Sequence, residues 1–316
     1  MLMPSDTIKL LPAYVNEPIH SYAASDDEAQ VSDVEYSDIT LEQNELSNQD
    51  NGECPYIRVG TDYYREMLRP QANGTTCKCL VYWKASVIKA DHGKSYLNDV
   101  SKYDCFCIVP SHTDYRKIIG HAYNLYEPIT HHPEPGDWSA IDSLLRHIFE
   151  EHYEYGLDYI QLLYQRPLQK LPILILVSEQ RNTGKTTFLN LLKAIFQDNA
   201  TFNTNEDFRS KFNSDWAGKL LIMVDEVLLS RREDSERLKN LSTATSYKME
   251  SKGKDRNEIA FFGKFVLCSN NEHFPIVIDR EEVRYWVRKI NPLETDAPFY
   301  MKKLMAQIPA FLHFLM

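Results

Sequence analysis

An unbroken apolar run, LPILILV at 171–177, is followed by Asn182-Thr183-Gly184-Lys185-Thr186-Thr187 and then by Phe188, Leu191, Leu192, Ile195 and Phe196 at helical spacing. A run this short and this apolar is buried on both faces, as a strand is inside a parallel sheet covered by helices. Strand, turn and helix in that order restrict the chain to an α/β architecture and make the turn a phosphate-binding loop. Backbone N–H groups at the helix start, with the positive end of its dipole, favour phosphate oxygens. Asn182, Thr183 and Gly184 would shape the loop, Lys185 would reach the β- and γ-phosphates of ATP, Thr186 would ligate Mg²⁺, and Thr187 is the structural neighbour. One position departs from the usual G-x-x-x-x-G-K-[ST] pattern: Glu179 stands where the first glycine belongs. Pointed outward its carboxylate is tolerable, and pointed inward it would repel phosphate.

Two further apolar runs end in polar residues. Leu220 to Val224 closes on Asp225-Glu226, where Asp225 would hold the Mg²⁺ shell and Glu226 would polarise an attacking water. The simpler alternative is an ordinary acidic strand end. KFVLC closes on Ser269-Asn270-Asn271; Asn270 is the residue expected to hold the water and sense the γ-phosphate, unless Asn-Asn merely starts a turn. Downstream, DREEVRYWVRKI offers Arg280, Arg284 and Arg288. A guanidinium entering a neighbouring subunit's site would stabilise charge on the transferring phosphoryl group, with Arg284 the first choice and Arg288 the second. Surface pairs with Glu281 or Glu282 are the alternative. Between the second and third runs, Lys248, Lys252, Lys254 and Arg256 flank Gly253 with alternation on either side, which predicts a basic-tipped hairpin able to touch nucleic-acid phosphates. A solvated turn is the other possibility.

Charge is distributed unevenly. The formal charge is −10, but residues 1–55 hold twelve acidic groups against Lys9 alone, which leaves +1 for the rest. That segment has too few apolar groups to offset the entropy of ordering and is expected to be a disordered acidic tail; the functional alternative is a tail that binds a basic partner or mimics nucleic acid. Residues 56–130, rich in aromatic and β-branched residues and broken at Gly60, Asn73-Gly74 and His92-Gly93, predict a small strand-rich unit with hairpins. Residues 131–170 read as a linker and two amphipathic helices, SAIDSLLRHIFEE and LDYIQLLYQ, and 171–316 as the phosphate-loop domain. The pairs Cys77/Cys79 and Cys105/Cys107 are too close for a zinc knuckle and are expected to be buried strand cysteines, with disulfides not expected in the cytosol. His131 and His132 read as exposed loop residues rather than metal ligands. No apolar run approaches the roughly eighteen residues that span a bilayer, and no secretory signal is visible, so a cytoplasmic protein without a membrane partner is expected.

Taken together, NTGKTT, LLIMVDE, the basic hairpin, FVLCSNN and VRYWVRKI resemble the superfamily 3 helicases, and more closely the phage and plasmid primase-helicase family, over about residues 171–290. The resemblance implies an AAA+-type P-loop ATPase that forms a homo-oligomeric, hexameric ring, hydrolyses ATP with Mg²⁺ and moves along single-stranded DNA during phage or mobile-element replication, in company with other replication proteins. Lys185, Thr186, Asp225, Glu226, Asn270 and Arg284 match that family's functional positions. The chain departs from the family at Glu179 and at FLHFLM, where relatives continue. No primase is expected, because residues 56–130 are few for a nucleotidyl-transfer domain and show no paired carboxylates. Two other classes fit parts of the pattern: a nucleotide-binding assembly module that does not hydrolyse ATP, and a P-loop kinase acting on a small substrate.

Overall fold

A computed structural model of the chain describes residues 54–70, 76–210, 213–227, 231–250, 257–271, 276, 278, 282–293 and 300–316. The expected acidic tail therefore lies outside the described residues. So do Lys252, Lys254, Arg256, Arg280 and Glu281.

The first strands form two small sheets. β1 (Tyr56–Val59) turns back at Gly60 into β2 (Asp62–Pro70), which pairs antiparallel with β3 (Thr76–Trp83). A helix, α1 (Ala85–His92), follows, and β4 (Ser101–Tyr103) then adds parallel to β1. β5 (Cys105–Cys107), β6 (Ile118–Ile119) and β7 (Ala122–Asn124) make the second sheet, in the order β5-β7-β6. The strand-rich reading holds, with one correction. Within the stretch expected to be strand-rich, Ala85–His92 is helical, and His92-Gly93, expected to break a hairpin, closes that helix. Ile88 explains why, since it is fully buried beside Tyr56 and Val100 and anchors the turn despite its β-branched neighbour. The cysteines are corrected too. Cys77, Cys79 and Cys107 are only half-buried and Cys105 is exposed, because their strands have one solvated side.

Two helices lead to the main sheet. α2 (Ser139–Phe149) and α3 (Tyr153–Gln165) bury the predicted apolar faces. They meet at a tight corner where a Cβ on Gly156 would lie 2.3 Å from the Phe149 ring, so only glycine fits. The main sheet contains β8 (Ile173–Val177), β9 (Ala200–Phe202), β10 (Leu221–Val224), β13 (Lys264–Ser269) and β14 (Tyr285–Lys289) in the order β14-β8-β13-β10-β9. Every pairing in it is parallel. α4 (Lys185–Phe196) follows β8, α5 (Asn205–Arg209) follows β9, and α6 (Arg232–Thr243) follows β10. β11 (Ser246–Met249) and β12 (Asn257–Ala260) pair antiparallel, as the hairpin reading requires. α7 (Tyr300–Ala306) and α8 (Ile308–Leu315) close the chain.

Alternate residues of each main-sheet strand enter opposite cores. Leu174, Leu176, Met223, Val266 and Cys268 face α2, α3, α4, α7 and α8, while Ile173, Ile175, Val177, Ile222, Val224, Phe265 and Leu267 face Phe208, Trp216, Leu238 and Leu241. Burial on both sides is why the strands read as continuous apolar runs. Ile308, Phe311, Leu312 and Leu315 put the FLHFLM region into the first of these cores. Among the described residues no helix is long and apolar enough to cross a membrane.

The segment before α2 is not the free loop expected. His131 hydrogen-bonds the carbonyl of Ala194 on α4 at 2.9 Å and is half-buried, whereas His132 is exposed. His112 is held more deeply. Its Nδ1 lies 2.7 Å from the Tyr164 carbonyl and its Nε2 2.7 Å from the Tyr126 hydroxyl, and burial pushes the imidazole down to about 4. The ring is therefore neutral at pH 7, with Nδ1–H donating to the carbonyl and Nε2 accepting from the tyrosine.

Candidate nucleotide site and nucleic-acid hairpin

A parallel sheet brings all its strand C-termini to one edge, and this is where open α/β sheets bind ligands. Here the edge carries Ser178, Asn203, Asp225 and Asn270. β8 and β13 are joined past their ends by Ser178 N–H donating to the Ser269 carbonyl at 3.1 Å.

The loop 182–187 has a backbone that could cradle an anion. Asn182 and Gly184 both take positive φ, 55° and 83°, and Gly184 caps α4 in the left-handed region that glycine adopts without strain. Two contacts hold the loop from outside: His147 of α2 lies 3.1 Å from the Thr183 carbonyl, and Leu293 N–H donates to the Asn182 carbonyl at 3.0 Å. Lys185 is buried, its Nζ donating to the hydroxyls of Ser178 and Thr183. Thr186 is exposed at the helix start, and its hydroxyl donates to Asp225 Oδ2 at 2.8 Å. Thr187 is half-buried beside it. Glu179, the residue in place of glycine, is solvent-exposed.

Glu226 takes φ 61°, unusual for a residue with a side chain. Three contacts impose it. Val227 N–H donates to the Cys268 carbonyl at 2.7 Å, Asn205 Nδ2 to the Glu226 carbonyl at 3.3 Å, and Asn270 Nδ2 to Glu226 Oε1 at 3.3 Å. The turn thus presents the Glu226 carboxylate next to the Asp225–Thr186 pair with an amide donor already on it. The donor set is a hydroxyl and a carboxylate at a helix N-terminus, with a cation behind the loop. It fits a nucleoside triphosphate and Mg²⁺, since hard oxygen ligands suit that ion. Among the described residues no group of three or more His, Cys, Asp or Glu could hold a metal ion by itself.

The arginines separate. Arg284 is 43% exposed and donates to Glu282 at 2.9 Å, the surface pair that was the alternative for it. Arg288 points inward: it donates to Glu151 Oε1 at 2.8 Å and to the Phe149 carbonyl at 3.0 Å, bracing the α2–α3 corner against β14. That guanidinium holds the Glu151 carboxyl down at about 2. Held there, Arg288 braces the fold and does not reach outward.

At the hairpin, Lys248 lies on β11 in the described part. The hairpin root is fastened by Asn213, whose side chain donates to the Lys248 carbonyl at 3.0 Å and accepts from Glu250 N–H at 2.8 Å. Sequence reading missed Ser178, His147, Asn205 and Asn213. His147, Asn205 and Asn213 act through partners that only the fold brings near, so no spacing announces them; Ser178 bonds to Thr183 and Lys185 within its own loop.

A family model described as a family of unknown function, DUF5906, matches residues 176–288, from the end of β8 into β14. No curated protein matches the chain. Among solved structures, the apo C-terminal region of NrS-1 aligns with a TM-score of 0.65 at 21% identity, covering 82% of this chain and 65% of that one. Its A form gives 0.64 at 22%, over 81% and 63%. A JCV helicase with an inhibitor bound gives 0.38 at 11%, over 56% and 52%. This chain therefore spans just under two thirds of the NrS-1 region, and the likeness to it is one of fold: a mainly parallel α/β sheet with helices on both faces, preceded by a strand-rich unit.

Proposed function

We propose that the chain is the ATP-hydrolysing motor of a superfamily 3 type helicase or translocase, acting as a hexameric ring on single-stranded DNA in phage or mobile-element replication. The observation that carries this reading is the pairing at adjoining strand tips: Thr186 on Asp225 at 2.8 Å, beside Glu226 on Asn270 at 3.3 Å. A kinase needs water excluded; a carboxylate with an amide partner next to a metal-binding pair suits positioning it.

In this reading Asn182, Thr183, Gly184 and Thr187 wrap the phosphates with the amides of the α4 start, and Lys185 turns its ammonium from the Ser178 and Thr183 hydroxyls to the β- and γ-phosphates. Thr186 and Asp225 would hold Mg²⁺, which would supply charge neutralisation when bound. Glu226 accepts the proton of the attacking water as the bond to phosphorus forms and the bond to the ADP oxygen breaks, while Asn270 keeps that water in line. Arg284, freed from Glu282, enters the neighbouring subunit's site. Lys248 with Lys252, Lys254 and Arg256 touches the DNA backbone without reading bases.

Phosphate release and product analysis on a mass-measured oligomer test this. Free phosphate, lost in Lys185→Ala and Glu226→Gln, supports the motor. A phosphorylated acceptor would make the protein a kinase, and ATP binding without turnover would make it an assembly module.

A further inference from the structure

The turn that carries Glu226 and the root of the hairpin are both bonded to one short stretch of chain, α5 and the nearby Asn213. At the start of α5, Asn205 Nδ2 donates to the Glu226 carbonyl at 3.3 Å. Asn213 makes three hydrogen bonds to the hairpin root. Its side chain donates to the Lys248 carbonyl at 3.0 Å and accepts from Glu250 N–H at 2.8 Å, and its own N–H donates to the Glu250 carbonyl at 3.2 Å. The Asn213 amide is buried, with only 2% of the residue exposed, so these are bonds the fold cannot exchange for water at no cost.

Residues 204–210 are also fixed to their surroundings. A capping box at Thr204 starts α5, with Thr204 and Asp207 bonded reciprocally. Arg209 at its end grips Asp234 of α6 with two nitrogens, the shorter contact being 2.7 Å. Arg237 of α6 then reaches the Ser210 carbonyl at 3.3 Å and the Tyr247 hydroxyl of β11 at 3.1 Å. Phe208 packs on Trp216, which stacks on Tyr247 at 5.8 Å. A displacement at Asn205 is thus handed to α6 and β11 by charged and aromatic contacts rather than absorbed.

Glu226 is the residue of the site whose backbone is strained. Its left-handed backbone is disfavoured for a residue with a side chain and is held by Asn270, Asn205 and Val227. When the carboxylate turns from Asn270 towards a nucleotide, one of these three contacts is lost, and a shift of the turn is passed to Asn205 through the Glu226 carbonyl it holds.

We infer that α5 and Asn213 couple the nucleotide site to the hairpin, with Asn205 sensing the Glu226 peptide and Asn213 a positioning residue that sets the hairpin root. The inference rests on the proposed site being a nucleotide site, though not on its hydrolysing ATP.

Hydrogen exchange on the full chain, with and without a non-hydrolysable ATP analogue and Mg²⁺, tests it. Nucleotide should change exchange at the hairpin strands 246–250 and 257–260 by at least about fivefold. In Asn205→Ala and Asn213→Ala that change should vanish, while nucleotide still protects the amides of α4, which also shows that each variant is folded. Asn213→Asp keeps the acceptor for Glu250 N–H and loses the donor to Lys248, and should restore part of the response. A hairpin that does not respond in the unaltered chain, or that responds equally in both alanine variants, overturns the inference. A response in a protein without ATP turnover leaves the coupling standing and removes the motor.

Discussion

The parallel-sheet core and the strand-rich unit place their polar groups in opposite ways. In the sheet, alternate residues feed two apolar cores, and polarity is confined to the strand tips, where it converges on one edge. In residues 54–130, polar groups are spread through the packing itself. Tyr123 donates to Glu66, Glu66 pairs with Lys78 at 2.8 Å, and Lys117 sits 4.6 Å above the Tyr123 ring, around a cavity of about 450 Å³. A function is readable from sequence where the fold separates the residues that hold the chain from those that act. Where the same side chains do both, residue types alone do not tell the two roles apart.

The largest expected effect is on turnover. Lys185→Ala should lower kcat by about 10³-fold or more, while Tyr123→Phe should leave it within about twofold and cost about 1 kcal/mol of stability for the lost hydrogen bond to Glu66, which keeps its pair with Lys78. Steady-state kinetics with denaturant melts would show it. Equal losses of activity would mean that the strand-rich unit takes part in the chemistry. Next comes packing. Phe188, fully buried between α2 and the sheet, should cost about 3–5 kcal/mol as alanine, whereas Leu68 of β2, 65% exposed, should cost under about 0.5 kcal/mol.

A third comparison lies where the regions meet, at His112. Its imidazole, at about 4 in the folded chain, is lowered by burial and by the nearby Lys264 charge. A lowered base binds fewer protons folded than unfolded, so stability is full above about pH 6.5 and falls as pH drops towards 4, by roughly 3 kcal/mol. His112→Gln should flatten that slope in melts run across the range. The smallest contrast is between the two arginines at β14: Arg288→Ala should destabilise by roughly 1–3 kcal/mol, and Arg284→Ala by under about 1 kcal/mol. Arg284→Ala should instead lower kcat of the assembled protein.

The placement of the 182–187 loop, Asp225, Glu226 and Asn270 at one sheet edge was legible because each borders an apolar run, and a parallel sheet must bring such ends together. The inward turn of Arg288 was half legible: it shares a strand face with Trp286, which stacks on Phe149 at 5.2 Å. Only the α2–α3 corner with Glu150 and Glu151 shows why a guanidinium is accepted there. His147, Asn205 and Asn213 left no signal, since their partners stand apart in sequence and are chosen by packing; Ser178 was missed although its partners Thr183 and Lys185 lie five and seven residues on. α1 was missed because a single buried Ile88 holds a helix of eight residues whose sequence begins like the strand before it.

We propose that the strand-tip edge hydrolyses ATP in response to nucleic acid. Phosphate release by a mass-measured oligomer, with and without single-stranded DNA, tests it most directly. The account predicts turnover that rises severalfold on adding DNA and disappears in Glu226→Gln. Release no greater than that of Glu226→Gln, with DNA present and absent, would contradict it.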